Sequence, residues 1–368
     1  MIWLSLVAFV VAALAAGGVV RWMRGHTANY AAGMPQRFHA GDIPRLGGAA
    51  LLLGLACSWL LGMVQTALLG DPGSVNMGGW VGGWLMVLLP AAVGGIAEDM
   101  TQRLRVYYRL GLTALSGVLA VAVLGLSVSR VGWGWLDAVL LASPWLGWGL
   151  VLLAVAGLPH AFNIIDGYNG LAGMVALIIC LALAHVALQV GDRALASLLV
   201  CTAAATGGFL VWNYPRGMLF AGDGGAYIWG VVIALASISL VQRNLEVSPW
   251  FPLLLLIYPV WETLFSIYRK LARGVSPGMA DALHLHQLIY RRIVRTVFHD
   301  DDDAQKMLMR NNRTSPYLWA FTMLTVVPAV LFWRNTAVLA AFCALFVLSY
   351  VVAYLAIVRF KVPGWIKR

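Results

Sequence analysis

The chain has 368 residues, 61% of them hydrophobic and only 11% charged, with a mean hydropathy of +0.83. An ordinary soluble domain carries about 25% charged residues, so a soluble fold is excluded and the chain reads as an integral membrane protein. The net charge of +10 argues for no nucleic acid, because Lys and Arg gather in the cytoplasmic loops of membrane proteins and can meet phosphorylated substrates there.

The first apolar run, 2–20, has no basic residue before it, and Arg21 and Arg24 follow it. A cleaved signal peptide has the opposite charge order, so this run reads as a retained first helix with its N-terminus outside. Further runs lie at about 46–64, 79–97, 109–128, 144–162, 170–190, 195–212, 224–241, 250–268, 317–333 and 336–358. Each is long enough to cross a bilayer at about 20 residues per span. The prediction is an all-α polytopic membrane protein of about eleven transmembrane helices in a single domain, 1–368. With a periplasmic N-terminus and a cytoplasmic C-terminus, 21 of the 25 Lys and Arg fall inside, the bias expected of cytoplasmic loops. Cys57, Cys180, Cys201 and Cys343 all sit within apolar runs and read as small packing residues rather than disulfides or metal ligands.

Polar islands interrupt this pattern, all on the side assigned as cytoplasmic. Polar and charged groups beside hydrocarbon are expensive unless they line a cavity or bind something. The first island is Met34-Pro-Gln-Arg-Phe-His-Ala-Gly-Asp-Ile-Pro-Arg-Leu-Gly-Gly48. There Arg37, His39 and Arg45 offer donors to an anion. The second carries the adjacent carboxylates Glu98 and Asp99 at the inner end of the third helix, a pair able to bind a divalent cation or to hold one member poised as a base.

The third island is Asn163-Ile-Ile-Asp-Gly-Tyr-Asn-Gly170. Asn163 and Asp166 are three apart and share a helix face, while Gly167 and Gly170 break the helix and free backbone N–H groups for an anion. The plain alternative, a capped helix–turn–helix connection, leaves Asn163 unexplained. The fourth runs from Trp212-Asn213-Tyr-Pro to Phe220-Ala-Gly-Asp223-Gly-Gly225 and places a carboxylate between glycines at a helix entry, where backbone can approach phosphate closely.

The long segment 269–316 adds His284-Leu-His286 and then Arg291, Arg292 and Arg295. Histidines two apart reach one ligand only from an extended or looped backbone. No further Cys or His nearby completes a zinc set, so phosphate or nucleotide contact is the better reading. His26, His160, His185 and His299 read as structural, and the run Asp300–Asp303 as a solvated loop face. Together the islands supply acidic groups for a divalent cation, donors for phosphate and a loop to cover a substrate, which is the equipment of phosphoryl transfer. The rival class is a membrane transporter or lipid flippase using the same charges as ion or headgroup sites. No internal repeat supports it.

These residues also carry a resemblance. P-x-R-x-H…P-R-x-G-G at 35–48, the acidic pair at 98–99, N-x-x-D-G-x-x-G-L at 163–171, W-N-x-P…F-x-G-D at 212–223 and H-L-H at 284–286 resemble, in order, the polyprenyl-phosphate N-acetylhexosamine-1-phosphate transferase family. The likeness is greater to the bacterial enzymes that initiate O-antigen, common-antigen and capsule-type glycans than to the muramoyl-pentapeptide branch, whose triple histidine is missing. The resemblance implies a multi-pass enzyme of the bacterial inner membrane. A polyprenyl phosphate such as undecaprenyl phosphate would attack a UDP-N-acetylhexosamine with Mg2+ (Mn2+ as the substitute), giving polyprenyl-diphospho-sugar and UMP, with a homodimer as an option. It implies Asp223, Asp99 and Asp166 as metal ligands and Asp99, with Glu98 beside it, as base or carrier-phosphate partner. Asn163 and Asp166 would organise the nucleotide and metal region. Arg37, His39, Arg45, Asn169, Asn213, His284, His286, Arg291 and Arg292 complete the implied substrate contacts.

Three departures stand out. Glu98-Asp99 replaces two aspartates, Asn169 replaces the second carboxylate of D-G-x-D-G, and Ala221-Gly-Asp223-Gly-Gly-Ala226 replaces M-G-D-x-G-S. Asn169 is therefore expected to touch sugar or nucleotide and not metal.

Overall fold

A computed structural model describes residues 1–23, 43–69, 77–276, 283–294 and 304–359. Arg37, His39, Arg295 and the run 300–303 lie outside the described residues. In chain order the helices are α1 (Ile2–Trp22), α2 (Gly47–Leu69), α3 (Gly78–Thr101), α4 (Val106–Leu124), α5 (Gly134–Ala142), α6 (Pro144–Ile165) and α7 (Leu171–Gln189). They continue with α8 (Arg193–Asn213), α9 (Gly222–Arg243), α10 (Trp250–Leu255), α11 (Ile257–Ala272), α12 (Leu285–Leu288), α13 (Ala304–Leu331) and α14 (Thr336–Arg359).

Ten of these helices, among the described residues, are long and apolar enough to cross a membrane. The expected ninth span is the difference. It is broken at Leu256 into α10 and α11, because the ring of Pro259 clashes with the carbonyl four residues back, at Leu255, and supplies no N–H to it. The segment 269–316 is also less of a loop than expected, since α13 already starts at Ala304 and α12 runs into a π-turn at Ile289–Val294.

The bundle is organised around α9, which is apolar all round and buried along its length, the pattern of a central helix. α2, α3, α6, α7 and α8 pack on it. With little hydrophobic drive between helices in lipid, small residues decide how closely they approach. Ala8, Ala12 and Ala16 form the buried stripe of α1. A Cβ on Gly54 of α2 would lie 2.6 Å from the Ala8 carbonyl, and one on Gly208 of α8 2.3 Å from that of Phe9.

The same device closes one end of the bundle. A Cβ on Gly48 (α2) would come within 2.3 Å of Gly225 N, and one on Gly95 (α3) within 2.6 Å of Gly224 Cα. Three helices thus meet backbone to backbone at the start of α9.

Candidate active site

The islands converge at that end. The segment before α2 runs alongside the segment before α9. Phe220 N–H donates to the Pro44 carbonyl, and the N–H groups of Gly47 and Gly48 donate to the carbonyls of Phe220 and Ala221, each at 2.9 Å. Gly222 has φ +68°, and a Cβ there would lie 2.3 Å from the Arg45 carbonyl and 2.4 Å from both carboxylate oxygens of Asp99. Only glycine fits this turn.

Asp99 is buried at 2% exposure. Its Oδ1 accepts from the backbone N–H of Asp223 at 2.9 Å and its Oδ2 from that of Gly224 at 2.8 Å. It therefore caps the N-terminus of α9 from a different helix, where the N–H groups are orphaned and a negative charge is favoured. Expected as a metal ligand and base, Asp99 also holds two backbone N–H groups, one on each oxygen. Glu98, its expected companion, accepts from Leu104 N–H at 2.8 Å and closes the turn after α3, where Gln102 has φ +51°.

With Asp99 fixing the backbone, the Asp223 side chain is set by three others. Its Oδ1 accepts from Asn163 Nδ2 at 2.8 Å, and its Oδ2 pairs with the Arg109 guanidinium and accepts from Tyr227 Oη at 3.3 Å. Asn163 thereby stands beside Asp223. Arg109 is the residue missed in the sequence, where it reads as one more loop charge. His160 lies behind this group, with Thr113 Oγ1 at 3.2 Å and Tyr227 Oη at 3.4 Å.

Asp166 ends α6 as its C-cap. Burial pushes its carboxyl up to about 7; the Arg45 charge pulls it down and the Asp223 charge adds to the rise. Arg45, Asp166 and Asp223 thus share one electrostatic neighbourhood.

Two amides expected to touch substrate also tie the turns together. Asn213 is buried, accepts from Gly170 N–H at 2.6 Å and donates to the Leu219 carbonyl at 2.7 Å. It ties the third island to the fourth. Asn169 donates through its backbone to Asn311 Oδ1 at 2.8 Å and through Nδ2 to Asn312 Oδ1 at 3.0 Å, while its carbonyl accepts from Ser315 Oγ at 2.6 Å. It anchors the same turn to α13.

His284 has an extended backbone (φ −65°, ψ 150°) at the entry to α12, and its ring stacks on that of His286, with centroids 5.4 Å apart and planes at 11°. The extended backbone at His284 brings the two rings to the same side. His286 also meets the Tyr168 ring edge-on at 5.5 Å, and a Cβ on Gly167 would lie 2.8 Å from its Nε2. The histidine pair therefore leans on the turn that carries Asp166. Arg291 and Arg292 follow in the π-turn, the first half-buried and the second exposed.

Among the described residues no three His, Cys, Asp or Glu side chains stand together as a complete metal cage. Magnesium keeps several waters and is held by one or two carboxylates together with substrate phosphates, so a site for it needs no complete cage.

Residues 80–241 match the pattern of glycosyl transferase family 4. The chain is similar to a probable undecaprenyl-phosphate N-acetylglucosaminyl 1-phosphate transferase of Bacillus subtilis, at 25% identity over 68% of this chain and 66% of the relative. It is similar to a decaprenyl-phosphate N-acetylglucosaminephosphotransferase of Mycolicibacterium smegmatis, at 28% over 71% and 70%. A phospho-N-acetylmuramoyl-pentapeptide-transferase of Synechococcus is 34% identical over 47% and 52%. The matched region thus spans from about half to 70% of the length of these relatives.

Proposed function

We propose, on the match of residues 80–241 to glycosyl transferase family 4 and the likeness to undecaprenyl- and decaprenyl-phosphate N-acetylglucosamine-1-phosphate transferases, that this chain moves an N-acetylhexosamine-1-phosphate from a UDP-sugar to undecaprenyl phosphate. The products are UMP and a polyprenyl-diphospho-sugar. The step would initiate O-antigen or another cell-surface polysaccharide at the cytoplasmic face of a bacterial inner membrane. The observation that carries this reading is the Asp223 carboxylate, set at the start of α9 between Arg109 and Asn163 and sharing its surroundings with Arg45 and Asp166.

In this reading Asp223 and Asp166 would hold magnesium, which would supply charge neutralisation for the diphosphate. Asn163 fixes the Asp223 rotamer. Arg109 and Arg45 bring guanidinium donors to phosphate oxygens. Asp99 keeps the N-terminus of α9 and its flanking glycines in place, so that backbone can come close to the phosphates. An oxygen of the lipid phosphate attacks the sugar-linked phosphorus, and the bond to the UMP oxygen breaks in line. A phosphate monoester has its second pKa near about 6 and is already ionised at pH 7. Direct attack therefore needs no base, in keeping with Asp99 acting as a cap.

The test is purified protein given undecaprenyl or decaprenyl phosphate, Mg2+ and a panel of UDP-N-acetylhexosamines. UMP release with at least one sugar is expected, and the panel also identifies the sugar. No release with any of them sinks the assignment.

A further inference from the structure

Glu262 belongs to none of the islands. It lies on α11, has no solvent exposure, and a carboxylate kept inside a membrane protein is rare unless it is paired for a purpose. Its partners converge from two other elements. Oε1 lies 3.0 Å from His284 Nδ1, Oε2 accepts from Tyr350 Oη of α14 at 2.6 Å, and Leu285 N–H points at both oxygens from 3.3–3.4 Å. A carboxylate only accepts, so it takes the Nδ1 proton of His284. That fixes the tautomer and the ring direction, as carboxylate partners do for functional histidines. A second bond supports the same segment, Tyr354 Oη donating to the Leu283 carbonyl at 3.2 Å.

The His284 ring held in this way stacks on His286, and His286 packs against Tyr168 and fills the space left by the missing side chain of Gly167. A continuous set of contacts therefore runs from a carboxylate deep in the helices to the residue beside Asp166. We infer that Glu262 is a positioning residue, with Tyr350 as its brace: it sets the histidine pair against the Asp166 turn and so governs binding of the nucleotide-diphosphate donor rather than of the lipid phosphate. This rests on the function proposed above. Glu262 itself touches no reactant.

The test compares wild type, Glu262→Gln and Tyr350→Phe in detergent or nanodiscs. Glu262→Gln is expected to raise the KM for the UDP-sugar at least tenfold while leaving that for undecaprenyl phosphate within twofold. Tyr350→Phe, which keeps the carboxylate and the fold, should shift the donor KM in the same direction by about threefold. Unchanged donor KM in both variants, or an equal rise for both substrates, overturns the inference. Should Glu262→Gln not fold, Tyr350→Phe decides alone. Should wild type release no UMP with any donor, the proposed function fails, and hydrogen exchange at residues 283–290 decides this point. Exchange at least tenfold faster in the variants upholds the positioning role, and exchange as in wild type refutes it.

Discussion

Adding one methyl group to Gly95 should damage the site far more than the fold. Its Cβ would lie 2.6 Å from Gly224 Cα and 2.7 Å from Asp223 C and Gly224 N, where ordinary contact begins at 3.4 Å. All three neighbours are backbone, so no side chain can swing aside. α3 and α9 must part by the difference, about 0.8 Å. Overpacking of this kind costs about 1–3 kcal/mol, which a helical bundle of this size tolerates. The catalytic loss is larger, because Asp99 on α3 caps Asp223 and Gly224 on α9, and a displacement of about 1 Å costs on the order of a hundredfold in rate. Gly95→Ala is therefore expected to express and to unfold slightly earlier on heating, while UMP release falls about a hundredfold. Gly82→Ala on the same helix, where nothing lies within 4 Å of the added Cβ, is the control and should keep full rate. A Gly95→Ala protein working at the wild-type rate would refute the idea that close approach of α3 and α9 builds the site.

Asp223→Asn should abolish turnover without loss of expression, and normal rates would remove Asp223 from the centre. For Asp166 the sign follows from its raised carboxyl. A cation must displace the proton, so Mn2+ affinity read by electron paramagnetic resonance should fall about tenfold per pH unit below about 7 and level off above it. Asp166→Asn should flatten that profile. In the metal-free protein the same group favours the fold while protonated, and this contribution is lost as pH rises from 3.8 to about 7. Asn213→Ala orphans the Gly170 N–H and the Leu219 carbonyl at about 1–3 kcal/mol each. Thermal unfolding should show a loss of about 2–6 kcal/mol, and Asn213→Asp, which keeps the acceptor, a smaller one.

What the sequence shows is where polar groups stand against the apolar background, because in a membrane that contrast is costly and so has a cause. Asn163, Asp166, Asp223 and the H-x-H pair are found in this way, and the structure brings them to one end of the bundle. What it does not show is which partner each group takes. Asn163 and Asn213 look alike as amides in polar islands, yet one faces Asp223 and the other turns to backbone. The choice depends on which N–H and carbonyl groups the fold leaves orphaned, a property of tertiary approach. Arg109 lies 114 positions from Asp223, and a single arginine at a helix start gives no sign of a distant carboxylate. The break at Leu256 was legible in principle, through Pro259, but a hydropathy average passes over it.

The three central carboxylates show why residue type alone could not assign their roles. Asp99 sits where helix N–H groups are orphaned, so its charge serves the backbone. Asp223 sits among side-chain donors, which hold it without enclosing it in backbone. Asp166 ends α6, where burial raises its carboxyl. On the proposed chemistry a divalent cation would offset these carboxylates, so that the anionic diphosphate could approach them.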